Sequence, residues 1–171
     1  MTDWGAHHFD IAQWGLGMDH TGPVEVIPPD GKDYKHLTYK YANGVEMRHI
    51  LYGPCVTFIG TKGKISLIGV TGESRFEPEE IGRECTYKVV DLKDAYGNKG
   101  HYDDFRDCVR TRRRPVADVE IGCRSITVCH IGNIAYRLNR PLKWNPDKEE
   151  FINDPQANRH LDRAKREPWA I

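Results

Sequence analysis

The chain has 171 residues, with 25 basic and 25 acidic side chains and therefore no formal net charge. This length is enough for one domain with a buried core, and we treat residues 1–171 as a single domain. The even charge balance argues against a nucleic-acid or anionic-membrane partner, and no apolar run approaches the roughly 18 residues of a membrane-spanning helix.

The N-terminal third predicts a helix, a loop and the start of a sheet. Residues 4–17 predict a helix because Phe9, Ala12 and Leu16 recur at helical spacing, with Asp3 at the N-cap position. Residues 21–33 hold three prolines and two glycines, which predicts a loop. From residue 36 to 92 the pattern changes to strand-like alternation and predicts a mostly antiparallel sheet of about five or six strands.

Two turns organise the predicted sheet. Asn43-Gly44 between two alternating segments predicts a type I′ hairpin. Thr61-Lys62 predicts a second short turn, between the segments CVTFIG and GKISLIGV. Two further segments, SRFEPEE and TYKVVDL, predict two more strands, and residues 93–100 predict a loop.

The C-terminal third predicts helices and a proline-punctuated tail. Residues 101–112 predict a helix whose inward side chains are Phe105, Cys108 and Val109. Residues 118–138 predict a longer helix that is capped by Asp118 and buries Ile126, Ile134 and Leu138. Residues 139–171 predict a tail with one short helix at about 155–162. The element order indicates an α+β fold: a large open, mostly antiparallel β-sheet with helices packed on one face.

The second face of such a sheet has to meet solvent or a partner. In the first hairpin the residues alternate between two sets. One set is Tyr39, Tyr41, Val45 and Met47, and the other is Thr38, Lys40, Glu46 and Arg48. The alternation alone leaves open which set faces the helices.

The cysteines and the N-terminal segment bear on the compartment. The five cysteines are scattered without a CxxC pair, which is a poor disulfide framework. Reduced thiols are typical of the cytoplasm. The segment MTDWGAHHFD lacks the basic and apolar regions of a secretory signal. These observations predict a cytoplasmic protein.

The densest group of chemically capable side chains lies in the first predicted helix. Asp3 and His7 are spaced i,i+4 and share one helix face, and Asp10 follows three residues after His7. A carboxylate beside an imidazole is a general-base arrangement, because the carboxylate favours the charged ring that has accepted a proton. The alternative interpretation is an N-capping aspartate and two exposed histidines on a surface helix.

Two other site types are disfavoured. A metal site would draw on His7, His8, Asp10 and the Cys129-His130 pair, but adjacent helical histidines point about 100° apart, which suits one ion poorly. The chain contains neither GxGxxG nor GxxxxGK[ST], so it has no dinucleotide or P-loop fingerprint. We therefore expect no metal and no cofactor bound by this chain alone.

Several stretches resemble the glucose–fructose oxidoreductase / inositol dehydrogenase / MocA (Gfo/Idh/MocA) family, and within it planctomycete-type bacterial members. The stretches are DWGAHHFDIAQWGLGMDHTGPVEV, the GTKG turn at 60–63, residues 101–151 and the tail DPQANRHLDRAKREPWAI. They extend over essentially the whole chain. The resemblance implies the α+β domain that follows an NAD(P)-binding Rossmann domain in full-length sugar and cyclitol oxidoreductases.

The resemblance also implies roles for individual residues. The family motif Asp-x-x-x-His falls on Asp3 and His7, so His7 is the expected acid/base on the substrate hydroxyl and Asp3 its neighbour in hydrogen-bonding reach. The later motif aspartate falls on Asp10, in a supporting role. We expect four residues to line the substrate pocket: His8, Asp10, His101 and Tyr102.

The resemblance implies, finally, a homo-oligomer, dimeric or tetrameric, formed through the open sheet face, and a sugar-like ligand. The 171 residues include neither the Rossmann domain nor the family's Glu-Lys-Pro segment. The expectation is therefore a substrate-side domain that is catalytically silent alone, with NAD or NADP bound in full-length relatives. Two alternatives stay open: an oligomerisation or carbohydrate-binding module without catalysis, and a cofactor-independent sugar acid/base enzyme.

Overall fold

The computed structural model describes residues 1–69, 73–84 and 100–168. The chain divides into two compact units. The first unit comprises Met1–Tyr52 and Cys123–Ile171, and the second comprises Gly53–Gly122. The described residues contain both helices and antiparallel strands, which confirms the predicted α+β class.

A five-stranded sheet forms the body of the first unit, in the order β3-β2-β1-β7-β8 with every neighbouring pair antiparallel. Its strands are β1 (Glu25–Ile27), β2 (Leu37–Lys40), β3 (Glu46–His49), β7 (Leu142–Asn145) and β8 (Glu150–Phe151). The predicted loop at 21–33 is thus wrong at its centre, because β1 joins the N-terminal hairpin to β7. The predicted tail at 139–171 likewise contains two strands.

The register of this sheet separates an apolar face from a charged one. Leu142, Val26, Tyr39 and Met47 lie in one cross-strand row. The neighbouring row, on the other face, alternates in charge across four strands: Lys143, Glu25, Lys40 and Glu46. The structure therefore decides what alternation left open, because the set containing Tyr39 joins the core and the set containing Lys40 lies on the opposite face.

Two helices cover the apolar face. They are α1 (Trp4–Gly15) and α4 (Val119–Leu138), close to the predicted 4–17 and 118–138. Phe9 of α1 packs its ring edge-on against Tyr39 at 5.5 Å between centroids. The Asp118 carboxylate accepts the Glu120 N–H at 2.9 Å and so caps α4 as predicted. The core is continuous from α1 through the sheet to α4.

The contact between α4 and β2 is very close at Gly132. A Cβ placed on Gly132 would fall 2.1 Å from Tyr39 Oη and 3.0 Å from Leu37 Cδ2. Glycine is thus required at this position by packing rather than by backbone conformation.

The first hairpin forms as predicted, but its turn does not. Gly44 N–H donates to Tyr41 O at 3.0 Å and Tyr41 N–H donates to Val45 O at 2.9 Å. Gly44 has φ +86° whereas Asn43 does not have a positive φ. A type I′ turn needs positive φ at both central residues, so this loop is a type I turn followed by a glycine bulge.

The second unit contains a three-stranded antiparallel sheet, β4-β5-β6, formed by β4 (Val56–Gly60), β5 (Gly63–Ile68) and β6 (Glu73–Glu77). The predicted Thr61-Lys62 turn joins β4 to β5. The prediction of a single sheet from residues 36–92 is wrong, since β2 and β3 pair with β1 while β4 to β6 pair among themselves. The predicted strand TYKVVDL and almost all of the predicted loop at 93–100 fall outside the described residues.

Two helices complete the described part of the second unit: α2 (Glu80–Glu84) and α3 (His101–Thr111). The prediction for the buried face of α3 is largely wrong. Cys108 is buried, but Phe105 is 62% and Val109 50% exposed. Asp104 is buried instead. In the tail, a short α5 (Pro155–Asn158) stands where a helix at 155–162 was predicted.

Candidate functional site

Helix α1 is held firmly on one side and open on the other. Phe9, Ala12 and Gln13 are buried, and the Gln13 amide donates to Met18 O and Thr21 O at 3.1 and 3.0 Å. Tyr41 Oη donates to Gln13 Oε1 at 2.6 Å. The helix is therefore tied to both the sheet and the following loop, which gives its exposed face a fixed position.

The two predicted catalytic residues lie at the start of this helix. Asp3 immediately precedes α1, and its side chain makes no capping hydrogen bond, although its backbone O accepts the Ala6 N–H at 2.9 Å. His7 is exposed on the first turns of the helix. Its ring lies 5.9 Å from the Trp4 indole, tilted by 56°. The alternative interpretation, in which Asp3 is an N-capping residue, requires a hydrogen bond from the helix to the Asp3 carboxylate. The structure shows no such bond.

Asp10 connects α1 to α4. Ser125 Oγ donates to Asp10 Oδ1 at 2.6 Å, and Ser125 is buried. This bond links two residues 115 positions apart in the chain. It gives Asp10 an anchoring contact, in keeping with the supporting role that the family resemblance implies.

His8 is partly buried and lies on a different side of α1 from His7. It interacts electrostatically with His49 at the end of β3, a residue that the sequence patterns did not single out. The His49 ring lies 5.6 Å from the Phe9 ring. Burial lowers the pKa of His49, and the chain N-terminus, His8 and His36 lower it further. The signal was present in the sequence, because His49 alternates with Met47 and so belongs to the core-facing set of the hairpin.

The remaining predicted pocket residues belong to the second unit. His101 and Tyr102 begin α3, and both are exposed, Tyr102 to 88%. Behind them the Asp104 carboxylate accepts the Val116 N–H at 3.0 Å and pairs with Arg113 Nη2 at 2.5 Å. Both bonds hold the pKa of Asp104 below its usual value, and the bond from Val116 has the larger effect. The charge of His101 lowers this pKa by a smaller amount. The first unit carries the other four predicted residues.

A separate cleft opens on the charged side of the five-stranded sheet. Its volume is about 510 Å³, and its walls include Glu25, Tyr34, Lys40 and Arg140. Lys40 pairs with Glu25 at 3.6 Å and lies 5.4 Å from the Tyr34 ring centre. None of the predicted site residues lines it.

Two further properties concern the described residues alone. Among residues 1–69, 73–84 and 100–168, no group of three His, Cys, Asp or Glu side chains is arranged to hold a metal ion. No helix in the same part of the chain is long and apolar enough to cross a membrane.

The fold and the site together define a class of protein. It is an α+β domain that has an open antiparallel sheet and an exposed histidine on an anchored helix. The family model described as "Oxidoreductase family, C-terminal alpha/beta domain" matches residues 1–171, the whole chain. The chain belongs to this Gfo/Idh/MocA family as its C-terminal domain, which confirms the resemblance seen in the sequence. No curated protein and no solved structure matches the chain significantly.

Proposed function

We propose that this chain is the substrate-side domain of an NAD(P)-dependent dehydrogenase that acts on a secondary hydroxyl of a sugar or cyclitol. The observation that carries the proposal is the exposed His7 on a helix whose opposite side is buried, with the exposed Asp3 directly before that helix, in a domain of an oxidoreductase family. A general base has to be accessible to substrate and also fixed in position, and α1 meets both requirements.

The step assigned to this chain is a proton transfer. His7 accepts the proton of the substrate hydroxyl as the carbinol carbon is oxidised to a carbonyl. The Asp3 carboxylate, one helical turn away, stabilises the imidazolium that results. Asp10 keeps α1 in register through its bond to Ser125. His8 is a further proposed substrate contact in the first unit, and His101 and Tyr102 are the proposed contacts that the second unit carries.

The residues of this chain do not fit the nicotinamide cofactor itself. Dinucleotide sites use a glycine-rich turn that opens a helix, and the 171 residues contain no GxGxxG. We therefore assign NAD or NADP, and the acceptance of hydride, to a separate nucleotide-binding domain. The chain alone is expected to be catalytically silent.

The surroundings of His7 support a covering domain on this face. Trp4 and Trp14 lie three residues before and seven after His7, on the same helix stripe, and are 62% and 73% exposed. Two exposed indoles on one helix face are typical of a surface that another protein body covers. A nucleotide-binding domain docked there would enclose the substrate between itself and α1.

The proposal extends to assembly and location. The row Lys143, Glu25, Lys40 and Glu46 alternates in sign, so two copies packed face to face can place unlike charges opposite each other. This supports a homo-oligomer through the open sheet face. The described cysteines are free thiols, which supports a cytoplasmic location.

The test is a dehydrogenase assay on the chain alone and on the chain fused to a family nucleotide-binding domain, with NAD+, NADP+ and a panel of sugars and cyclitols. We expect reduced cofactor from the fusion and none from the chain alone. In the fusion, His7→Ala should lower kcat by about 10²- to 10⁴-fold. His130→Ala, which removes an exposed histidine from α4, is the matched control and should leave kcat unchanged.

Three results would contradict parts of this proposal. Turnover with nicotinamide by the isolated chain would exclude the silent state. Sugar conversion without nicotinamide would favour the cofactor-independent enzyme. Sugar binding that is unaffected by His7→Ala, together with an inactive fusion, would favour a binding module.

A further inference from the structure

Trp4 is a large apolar side chain that stands in solvent on the first turn of α1. The residue is 62% exposed, although the opposite side of the same helix is buried. Its indole lies 5.9 Å from the His7 imidazole, and the two ring planes are tilted by 56°. Because the rings are not stacked face to face, most of the indole surface stays accessible. A molecule that rests on Trp4 is therefore within reach of His7.

His7 itself is presented on the surface of a helix. It is exposed, and the cleft on the charged side of the five-stranded sheet contains no residue of α1. The convex surface of a helix cannot bind a small ring by enclosing it. Binding at such a surface depends on a side chain that offers a broad, flat contact area, and the Trp4 indole is the side chain in ring contact with His7.

An indole face suits the ring of a sugar or cyclitol. Where the hydroxyls of such a ring are equatorial, the C–H bonds are axial and make both ring faces apolar. The neighbouring oxygens leave these hydrogens with a partial positive charge, and the π face of an aromatic ring is negative. Stacking thus combines burial of apolar surface with a weak electrostatic attraction, and it leaves the hydroxyls at the ring edge free.

We propose that Trp4 is a substrate-binding residue whose indole stacks against the C–H face of the sugar or cyclitol ring, so that a hydroxyl at the ring edge meets His7. This inference rests on the proposed function and adds a specificity contact to the same site. The exposed Asp3 directly precedes Trp4, and its carboxylate makes no capping bond and can accept a second hydroxyl. Rings with an uninterrupted C–H face are selected, because an axial hydroxyl pressed against the indole loses its bonds to water.

Trp14 provides the internal comparison. It is 73% exposed and lies on the same stripe of α1. It follows His7 by about 10 Å along the helix axis, whereas Trp4 is in ring contact with His7. A single ring seated at His7 therefore touches Trp4 and not Trp14, which stays available to the covering domain.

The test uses the 171-residue chain, labelled with 5-fluorotryptophan, and two probes, scyllo-inositol and allo-inositol. Every hydroxyl of scyllo-inositol is equatorial, so both ring faces are apolar, whereas allo-inositol has axial hydroxyls on both faces. We expect scyllo-inositol to shift the ¹⁹F resonance of Trp4, to leave that of Trp14 unchanged and to bind more tightly than allo-inositol. Trp4→Leu stays apolar but removes the π face, so it should weaken scyllo-inositol binding by about three- to tenfold at an unchanged melting temperature. Trp14→Leu is the matched control and should bind like wild type.

The fusion to a nucleotide-binding domain gives a second measurement. Trp4→Leu should raise the KM of the best substrate in the panel by about three- to tenfold and change kcat by less than about twofold, because stacking contributes equally to the ground state and the transition state. A fall in kcat at an unchanged KM would overturn the stacking and assign Trp4 to orienting the His7 ring.

Each other outcome overturns a defined part. Equal binding and equal KM for wild type and Trp4→Leu in an active fusion would overturn the role of Trp4 and leave the proposed function standing. Equal binding of the two inositols would overturn selection by the C–H face. Weaker binding with a lowered melting temperature would assign Trp4 to packing. Failure of the wild-type chain to bind either probe would overturn the inference. An inactive fusion with Trp4-dependent binding of scyllo-inositol would overturn the proposed function and leave the ring-binding site standing.

Discussion

The two units of the chain are stabilised in different ways. In the first unit, apolar side chains from α1, the five-stranded sheet and α4 form one buried cluster that includes Phe9, Tyr39 and Val128. In the described part of the second unit, Cys108 is the buried hydrophobic side chain and Asp104 the buried charged one. Hydrophobic burial therefore dominates in the first unit, whereas hydrogen bonds and ion pairs take a larger share in the described part of the second.

The contrast is clearest at Asp104. Its carboxylate joins α3 to the segment that follows, through Arg113 and the backbone of Val116. Arg114 performs a similar task nearby, pairing with Asp118 at 2.9 Å and with Glu120 at 3.1 Å. These bonds fix a loop without burying apolar surface. The unit that carries His7 is therefore the one with the larger apolar core among the described residues.

The largest effect is expected from closing the space between α4 and β2. Gly132→Ala should destabilise the protein by about 1–3 kcal/mol, because the new methyl group overlaps Tyr39 Oη. Gly122→Ala in the same helix is the matched control, since nothing lies within 4 Å of its Cβ position. That control should stabilise by about 0.5–1 kcal/mol, since glycine weakens helices. Urea unfolding of both variants measures the difference, and equal effects would refute close packing at Gly132.

A more local effect is expected from Asp104→Asn. The folded pKa of this carboxyl lies below its usual value of 3.8, so its stabilising contribution is complete above that value and disappears as the pH falls through the lower folded pKa. The variant should melt at a lower temperature than wild type at neutral pH. The difference in melting temperature between the variant and wild type should narrow towards zero in acid. A difference that does not depend on pH would contradict the assigned ion pair.

A third prediction compares the opening of the two units by thiol labelling. Cys129 is fully buried in the first unit, and burial raises its pKa to about 11. Cys108 is buried in the second unit, where burial also raises its pKa. Because the described part of the second unit buries less apolar surface, Cys108 should react before Cys129 under native conditions, and both should react after the exposed Cys123. The reverse order, measured by mass spectrometry of labelled peptides, would refute the contrast between the units.

The smallest effect is expected at an exposed ion pair. Lys64 pairs with Glu77 at 3.2 Å across β5 and β6, with side chains 49% and 65% exposed. Lys64→Ala should change the free energy of unfolding by no more than about 1 kcal/mol. A larger loss of unfolding free energy, measured by thermal unfolding, would mean that surface charges in general, and not Asp104 in particular, stabilise the second unit.

Local patterns predicted much of this fold. Helical spacing of Phe9 and Ala12 located α1, and Asp118 located the start of α4. Glycine and asparagine located the first hairpin, although the turn type depended on the φ of Asn43. Strand β1 was missed because a strand of three residues in a proline-rich segment carries too little periodicity. Its stability comes from pairing with β2 at Lys40 and with β7 at Lys143, which are far apart in sequence.

The candidate site likewise has features that the sequence determines and features that only the tertiary structure determines. The sequence by itself determined the Asp3–His7 spacing, the family motif and the absence of a glycine-rich turn in these 171 residues, since each depends only on the order of residues. The tertiary structure alone decided that Tyr39 faces the helices, that Asp10 meets Ser125, and that the buried His49 Nδ1 atom lacks a hydrogen-bond partner among the described residues. Those facts depend on which distant segments pack together, and packing of distant segments is not written in any local pattern.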